Sequence, residues 1–363
     1  MRPVGGVFLG WIGDKYGRKV ALEQSAFLMA IPTYLMGCLP TYSMIGNSAW
    51  VVLLLVRLLQ GLSVGGQKMI SLAYTLENQP RHRWGLCGSF IYMAANCGSL
   101  LGSMTSAILR SVLEYDDLLD YGWRLPFYAG ITSAFLGIYL RYKCPNEMGH
   151  KPPENPLDGA FGPDNYLRLI SLFLVSLLVS AGYYLTFVWL SIFMEDLISP
   201  AVDDAYWINS ACLLVATVFT MPYAGWLSDK YGRTNIMVVG SILFGTISPV
   251  VIYFLSIGDT SIAWIGQFAI STSFCIFASP ALAWMVELFP PAVRVTSMTF
   301  SYNIAAIFGG FASAFATYLA DSFGLTVPGY FFSFLSICSL VGIFATPPYD
   351  ELSLENGQAI KGS

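Results

Sequence analysis

The sequence predicts an all-α membrane protein, on the strength of its composition and of how its apolar residues are distributed. Apolar residues make up 55% of the 363-residue chain, charged residues make up 11%, and the mean hydropathy is +0.61. Soluble domains carry roughly 25% charged residues. The apolar residues form long runs, each able to cross the roughly 30 Å of bilayer hydrocarbon. The net charge of −4 excludes a strongly basic nucleic-acid-binding protein, and the few charges exclude an acidic disordered one.

The apolar runs predict ten complete spanning helices and one partial helix. The ten are 20–41, 50–76, 85–109, 125–143, 166–194, 205–227, 234–256, 262–287, 295–320 and 328–346. Residues 3–13 form the partial helix, because eleven helical residues cover only about 17 Å. We therefore expect one and a half helices to precede Met1, through a truncated gene model or an unusual start.

The basic residues predict the orientation of the helices. Thirteen of the 18 Lys and Arg residues fall in alternate connections, beginning with residues 14–19, whereas the opposite connections contain only Arg110 and Arg124. Because cytoplasmic connections carry the excess of Lys and Arg, residues 14–19 and the C-terminal tail are predicted to be cytoplasmic. We expect a multi-pass protein of the plasma membrane, surrounded by the lipid bilayer.

One ten-residue segment occurs twice. Gly10–Lys19 recurs as Gly225–Thr234, with seven identical positions at an offset of 215 residues. The repeat predicts two homologous halves, a symmetry found in secondary transporters whose halves move around a midplane site. The predicted organisation is an N-terminal half without its first helix (1–143), a cytoplasmic linker rich in Pro and Gly (144–165), a six-helix C-terminal half (166–346) and a cytoplasmic tail (347–363).

The repeated segment also predicts gating loops. Its glycines permit a tight turn and close helix approach, and its aspartates can accept hydrogen bonds from a helix N-terminus or an arginine. The candidates in the two copies are Gly10, Asp14 and Arg18, and Gly225, Asp229 and Arg233. Glu287 and Arg294 flank a turn built on Pro290 and Pro291, and we expect them in the same gate near Asp229 or Asp14. The alternative is that these are plain topogenic loop charges.

These motifs resemble the signature loops of the major facilitator superfamily. Further stretches resemble its metabolite:proton symporter group, which includes proline/betaine, shikimate, α-ketoglutarate and citrate carriers. They are Arg2–Gly6, Arg57–Gly66, Trp123–Phe127, Glu287–Thr296, Tyr302–Asn303 and Phe308–Gly310. The resemblance covers nearly the whole chain and implies the major facilitator fold, with about 11 of its 12 transmembrane helices, and alternating access coupled to protons. Two departures weigh against proton coupling: Gln67 and Lys68 follow the Gly-Gly pair where the family usually has glutamate, and the family's first helix, which carries acidic residues, is missing.

A polar stripe on the helix 50–76 predicts a substrate site. Arg57 is ionisable within a span and is therefore a functional candidate, and Gln60 and Gln67 share its face. Lys68 would make that face positive, which suits a carboxylate, and aromatic rings could hold a quaternary ammonium group. The candidate substrate-binding residues are Arg57, Gln60, Gln67, Tyr92, Asn96, Tyr183, Gln267 and Asn303. The alternatives are that Arg57 only fixes helix packing and that Lys68 neutralises an acid in the missing segment.

The sequence therefore predicts a secondary active transporter of a small polar metabolite, a carboxylate or a zwitterion such as betaine or proline. We expect a monomer whose partners are this solute, H+ and lipid, with no cofactor, metal or nucleic acid. The alternatives are a non-transporting membrane sensor and an inactive truncated transporter. The sequence shows no Ser/His/Asp, HExxH, Walker-type or metal-ligand pattern, and this weighs against an enzyme.

Overall fold

In the computed structural model, residues 1–143, 155–202 and 204–345 are described, and these residues form helices and connections with no strand. The predicted tail and half of the predicted linker lie outside them. The helices of the first predicted half are α1 (Arg2–Tyr16), α2 (Arg18–Gly37), α3 (Ser48–Glu77), α4 (Trp84–Val112) and α5 (Thr132–Lys143). Short helices cover Tyr42–Ile45, Tyr115–Asp120, Leu125–Ala129 and Pro156–Ala160, and 3₁₀ turns cover Arg81–Arg83, Gly122–Arg124 and Pro163–Asn165.

The second predicted half contains six long helices. They are α6 (Tyr166–Leu197), α7 (Ala205–Tyr231), α8 (Arg233–Leu255), α9 (Thr260–Glu287), α10 (Arg294–Phe323) and α11 (Pro328–Ala345). Helix α6 contains π-helical turns at Leu185–Trp189 and Phe193–Leu197, and α7 contains one at Ala216–Thr220. Among the described helices, α3 and α6 to α11 are long and apolar enough to cross a membrane. The predicted all-α membrane fold is confirmed.

One predicted span is wrong as a single helix. Residues 125–143 divide into Leu125–Ala129 and α5, because the amides of Gly130 and Ile131 bond the carbonyls of Phe127 and Tyr128, three residues back, instead of continuing the α-helical pattern. Gly130 also packs on α2, where an added Cβ would lie 2.3 Å from Cγ2 of Thr33.

The described residues group into two compact units, and each contains residues of both predicted halves. The first unit comprises 1–78, 94–161 and 291–303, and the second comprises 79–93, 162–290 and the chain from 304 onwards. The start of α4 therefore packs with the second half, and the start of α10 packs with the first. The candidate gating residues Asp14 and Asp229 contact these two helix starts.

In the first unit, small residues allow the backbones of α1 and α3 to approach closely. A Cβ added at Gly5 would lie 2.0 Å from the carbonyl oxygen of Leu62, and one added at Gly65 would lie 2.1 Å from that of Arg2. An apolar cluster continues this contact towards α2 and α10; its buried members are Leu9, Ala21, Leu22, Ile70, Ala73, Tyr74 and Val295. Such small-residue contacts drive helix association where lipid removes the hydrophobic driving force.

The second unit packs around aromatic rings and close glycine contacts. The ring centroid of Phe244 lies 5.9 Å from that of Phe274 and 5.4 Å from that of Phe332, which joins α8 to α9 and α11. A Cβ at Gly240 would lie 2.4 Å from the backbone nitrogen of Phe277, so α8 and α9 also touch through their backbones.

We expect Gly65→Ala to destabilise the protein by about 1–3 kcal/mol, because the new methyl group forces α3 away from α1. The measurement is the thermal midpoint of the purified protein by fluorescence-detected size exclusion. Gly98→Ala in α4 is the matched control, since its Cβ meets nothing within 4 Å, and it should be neutral or stabilising by up to about 1 kcal/mol. Equal effects of the two substitutions would contradict the close contact.

Candidate functional site

The first candidate gate forms where the carboxylate of Asp14 meets the start of α10. Asp14 lies outside the predicted span 3–13, and its carboxylate accepts hydrogen bonds from the amides of Val295 (3.2 Å) and Thr296 (2.8 Å). It therefore satisfies two of the amide donors that a helix N-terminus leaves unpaired, at the positive end of the helix dipole. Its side chain is fully buried. Burial raises the pKa of Asp14 to about 6, while Arg18 and the bonds to Thr296 and Val295 act in the opposite direction.

An ion network holds Asp14 in place. The guanidinium of Arg18 lies 3.1 Å from the carboxylate of Asp14 and 3.1 Å from that of Glu77, at the end of α3. It also donates to the carbonyl oxygens of Gly13 and Pro291. Arg294, the first residue of α10, donates at 2.6 Å to Oε1 of Glu77, which also accepts from Arg18 at 3.4 Å. The side chains of both arginines are at most 5% exposed, so each buried cation has a carboxylate partner.

The second repeat copy builds the same arrangement with the start of α4. The carboxylate of Asp229 accepts hydrogen bonds from the amides of Gly85 (2.8 Å) and Leu86 (2.9 Å). Arg233 lies 3.3 Å from Asp229 and also pairs with Glu287 at the end of α9. The predicted acceptor role of both repeat aspartates toward helix N-termini and arginines is therefore observed. We call the two arrangements the Asp14 latch and the Asp229 latch.

The repeat glycines allow close helix contacts at each latch. A Cβ at Gly10 would lie 2.6 Å from Oγ1 of Thr299 on α10, and one at Gly225 would lie 2.6 Å from the carbonyl oxygen of Gly85 on α4. Gly17 and Gly232 end α1 and α7 with φ angles of 107° and 93°, which favour glycine.

Glu77, the counterpart of Glu287, is not among the residues predicted from the sequence. Both residues end a long apolar helix and are followed three positions later by proline, at Pro80 and Pro290. This Glu-x-x-Pro pattern could have identified Glu77 as the second copy. Glu287 and Arg294 flank one turn but belong to different latches: Glu287 pairs with Arg233, and Arg294 pairs with Glu77.

The candidate substrate-binding residues of α3 lie in the first unit. Arg57 is exposed and donates to Oε1 of the buried Gln60 at 3.3 Å, and Gln60 donates to Oγ1 of Thr33 on α2 at 3.2 Å. Gln67 is half-buried two turns beyond Gln60. Their shared face is thus anchored in part to α2.

Two further candidates of the first unit are deeply buried. Asn303 donates to the carbonyl oxygens of Gly65 and Thr299, at 2.6 Å each, and is 1% exposed, so its amide joins α10 to α3. Asn96 is 3% exposed. Their contact with substrate stays a prediction.

The remaining candidates belong to the second unit. Gln267 is fully buried and donates to the carbonyl oxygen of Thr186 and to Oδ1 of Asn209, both at 2.8 Å, so it joins α9 to the first π-helical turn of α6 and to α7. The half-buried ring of Tyr183 packs 5.4 Å from that of Phe187. Tyr92 is 5% exposed.

Within the described ranges, no three His, Cys, Asp or Glu side chains come close enough together to hold a metal ion.

The comparison with known proteins agrees with this geometry. The sequence profile of the Major Facilitator Superfamily matches residues 3–300 and 172–360. The chain belongs to the major facilitator superfamily. Like other members of the superfamily, it is a multi-pass membrane transporter of small solutes and not an enzyme.

Two relatives illustrate the similarity. The glycine betaine/proline/ectoine/pipecolic acid transporter OusA of Dickeya dadantii is 26% identical over 381 residues, covering 97% of this chain and 76% of the relative. The proline/betaine transporter of Escherichia coli K12 is 25% identical over 357 residues, covering 94% of this chain and 71% of the relative.

Solved structures of the superfamily share the fold. The proton:xylose symporter XylE bound to 6-bromo-6-deoxy-D-glucose superposes with a TM-score of 0.75 at 18% identity, over 96% of this chain and 84% of XylE. FucP in the outward conformation gives 0.72 at 11% identity, over 95% of this chain and 86% of FucP. At these identities the likeness shows the fold alone.

We expect Glu77→Gln to lower the stability of the protein by about 1–3 kcal/mol, because the buried guanidinium groups of Arg18 and Arg294 lose their shared carboxylate. Thermal unfolding in detergent measures the change. Glu195→Gln, at an exposed position near the end of α6, removes the same charge and should leave the midpoint unchanged. A midpoint for Glu77→Gln equal to that of the control would show that the network does not stabilise the fold.

Proposed function

We propose that this chain is a secondary active transporter that moves a carboxylate or a zwitterion such as betaine or proline by alternating access, coupled to protons. The likeness to two curated carriers of such solutes over at least 94% of the chain supports the substrate class. The XylE symporter, which shares the fold, supports proton coupling by analogy alone.

The observation that carries the mechanism is the pair of latches. Each joins an aspartate of one sequence half to the first amides of a helix from the other half, across 281 residues at Val295 and 144 residues at Gly85. Non-covalent bonds of this kind can break and re-form. We propose that the gating residues Gly10, Asp14, Arg18, Gly225, Asp229, Arg233, Glu287 and Arg294 close the cytoplasmic side and release it once per transport cycle.

The distribution of basic residues supports the orientation. With residues 14–19 and the latches on the cytoplasmic side, the C-terminal tail is cytoplasmic as well. We propose the plasma membrane as the location and a monomer in the lipid bilayer as the working form.

Gln67 favours a second candidate function, a non-transporting membrane sensor or inactive transporter that keeps the fold. A neutral amide cannot release and rebind a proton, whereas the glutamate that similar carriers have at this position can.

The test of the function is solute uptake by the purified full chain in proteoliposomes. We expect radiolabelled glycine betaine, proline or succinate to enter above the level of protein-free vesicles, and an inward proton gradient to increase the rate until a protonophore removes it. An uptake rate that does not change with the proton gradient would contradict proton coupling only. Absence of uptake for all three solutes would favour the sensor or inactive form.

We expect Asp14→Asn and Asp229→Asn to reduce the uptake rate by about three- to thirtyfold each, because the loss of a charged cap shifts a two-state equilibrium by about that factor. Initial rates are compared at equal amounts of reconstituted protein. Asp259→Asn is the matched control, because Asp259 caps only its own helix, at Ser261 and Ile262, and should keep the wild-type rate. Wild-type rates in both latch variants would contradict the gating role.

A further inference from the structure

The repeated segment contains three identical positions that the latches do not use. They are Trp11, Lys15 and Tyr16 in the first copy and Trp226, Lys230 and Tyr231 in the second. The latches use the glycines, the aspartate and the arginine of each copy instead. A tryptophan, a lysine and a tyrosine that occur in both copies therefore need an explanation of their own.

In each copy the lysine lies close to the two aromatic rings. The ammonium nitrogen of Lys15 is 4.8 Å from the ring centroid of Trp11 and 5.7 Å from that of Tyr16. In the second copy the corresponding distances are 5.7 Å and 5.3 Å. Cations at such distances are attracted to aromatic rings, so the rings hold each ammonium at the end of its helix.

The two ammonium groups have no oxygen partner within the described ranges, where Lys15 and Lys230 make neither a hydrogen bond nor an ion pair. The carboxylates that precede them in the chain, those of Asp14 and Asp229, already bond helix amides and pair with arginines. An ammonium has three N–H donors. Each lysine can therefore bind an anion without breaking a contact of its latch.

An apolar groove of about 530 Å³ adjoins the first of these lysines, because Trp11 forms part of its wall. Val4 and Phe8 on α1 and Phe300 on α10 also line it, and all of its lining residues are apolar. From Val4 to Trp11 the helix rises about 11 Å, which is close to the roughly 15 Å of hydrocarbon in one leaflet. The groove thus has the polarity and the length that suit a lipid chain.

The second copy forms a groove on the corresponding helix face. This groove has a volume of about 550 Å³ and is lined by Phe219 and Tyr223 on α7, which correspond to Val4 and Phe8, and by residues of α8 and α9. It is apolar apart from two threonines. The ring centroid of Tyr223 lies 5.9 Å from that of Trp226, the ring beside the second lysine. In both units, an apolar groove therefore leads to aromatic rings and then to a lysine.

The charges around the second groove favour an anion. Residues 205–228 and 234–258 carry no charge, and the turn Arg81–Arg83 packs against the end of α7. At that end, four cations therefore accompany two acids: Arg81, Arg83, Lys230 and Arg233 against Asp229 and Glu287.

The first groove has an acid at its edge. Asp158 is exposed and follows the lining residue Leu157 in the chain. Like charges repel, so we expect the second groove to bind an anion more tightly than the first.

We propose that Lys15 and Lys230 each bind the phosphate of an anionic phospholipid whose acyl chain lies in the adjoining groove. Trp and Tyr are enriched at the depth of the lipid head groups, where anionic lipid attracts lysine. A zwitterionic head group carries a cation of its own beside the phosphate, which makes it a weaker partner for lysine. The proposal goes beyond the transport function and holds whichever solute the chain transports.

The experiment measures the thermal midpoint of the purified full chain in detergent while phosphatidylglycerol, or phosphatidylcholine with the same acyl chains, is added at constant ionic strength. We expect phosphatidylglycerol to raise the midpoint at a concentration about three- to tenfold lower than phosphatidylcholine. This preference should weaken in Lys15→Gln, weaken more in Lys230→Gln and disappear in the double variant, whereas Lys→Arg at both positions should keep it. Lys143→Gln, at the exposed end of α5 and outside both grooves, is the matched control and should behave as the wild type.

Glycerol 3-phosphate separates a lipid site from a site for a free phosphate ester. We expect it to leave the midpoint unchanged, because it has no acyl chain to fill the groove, and a rise equal to that with phosphatidylglycerol would contradict the lipid site. Equal effects of the two lipids on the wild type would show that the grooves accept any lipid and would overturn the proposal. A preference that survives in the double variant, or that Lys143→Gln loses to the same degree, would also overturn it.

Discussion

The described structure depends on a carboxylate placed at the start of a helix that is distant in the sequence. A helix N-terminus leaves amide donors unpaired, and burial makes that cost large. Asp14 and Asp229 each satisfy two such donors, and Arg18 and Arg233 hold the carboxylates in turn. The charge of each aspartate can be buried because an arginine neutralises it. The charge of that arginine is balanced in turn by a second carboxylate, Glu77 or Glu287.

These paired charges and capped helix starts explain why the compact units do not coincide with the two sequence halves. Through each latch, the start of a helix from one sequence half packs with the other half. Residues 79–93 and 291–303 therefore group with the opposite half. Ion pairs and amide bonds can exchange partners without breaking the chain or the apolar core. Interactions of that kind suit the gating role proposed for the two latches.

The role of a polar residue within the apolar core does not follow from its residue type alone. Asn303 and Gln267 have the amides that a substrate site requires, yet they bond backbone carbonyls of neighbouring helices. An unpaired amide in an apolar interior is costly, so any buried Asn or Gln acquires partners. The sequence cannot tell whether those partners are solute or protein, because both use the same donors.

The sequence by itself determined the helical class, most of the long helices and the repeated loop, since hydropathy and identity to an earlier segment are properties of short stretches. Only the tertiary structure decided which charges meet. It paired Glu287 with Arg233 and Arg294 with Glu77, although Glu287 and Arg294 flank one turn, and it placed Lys68 against Tyr302, 234 positions away. Such choices depend on how helices pack, because partners so far apart in the chain become neighbours only after the close glycine contacts set the distance between backbones.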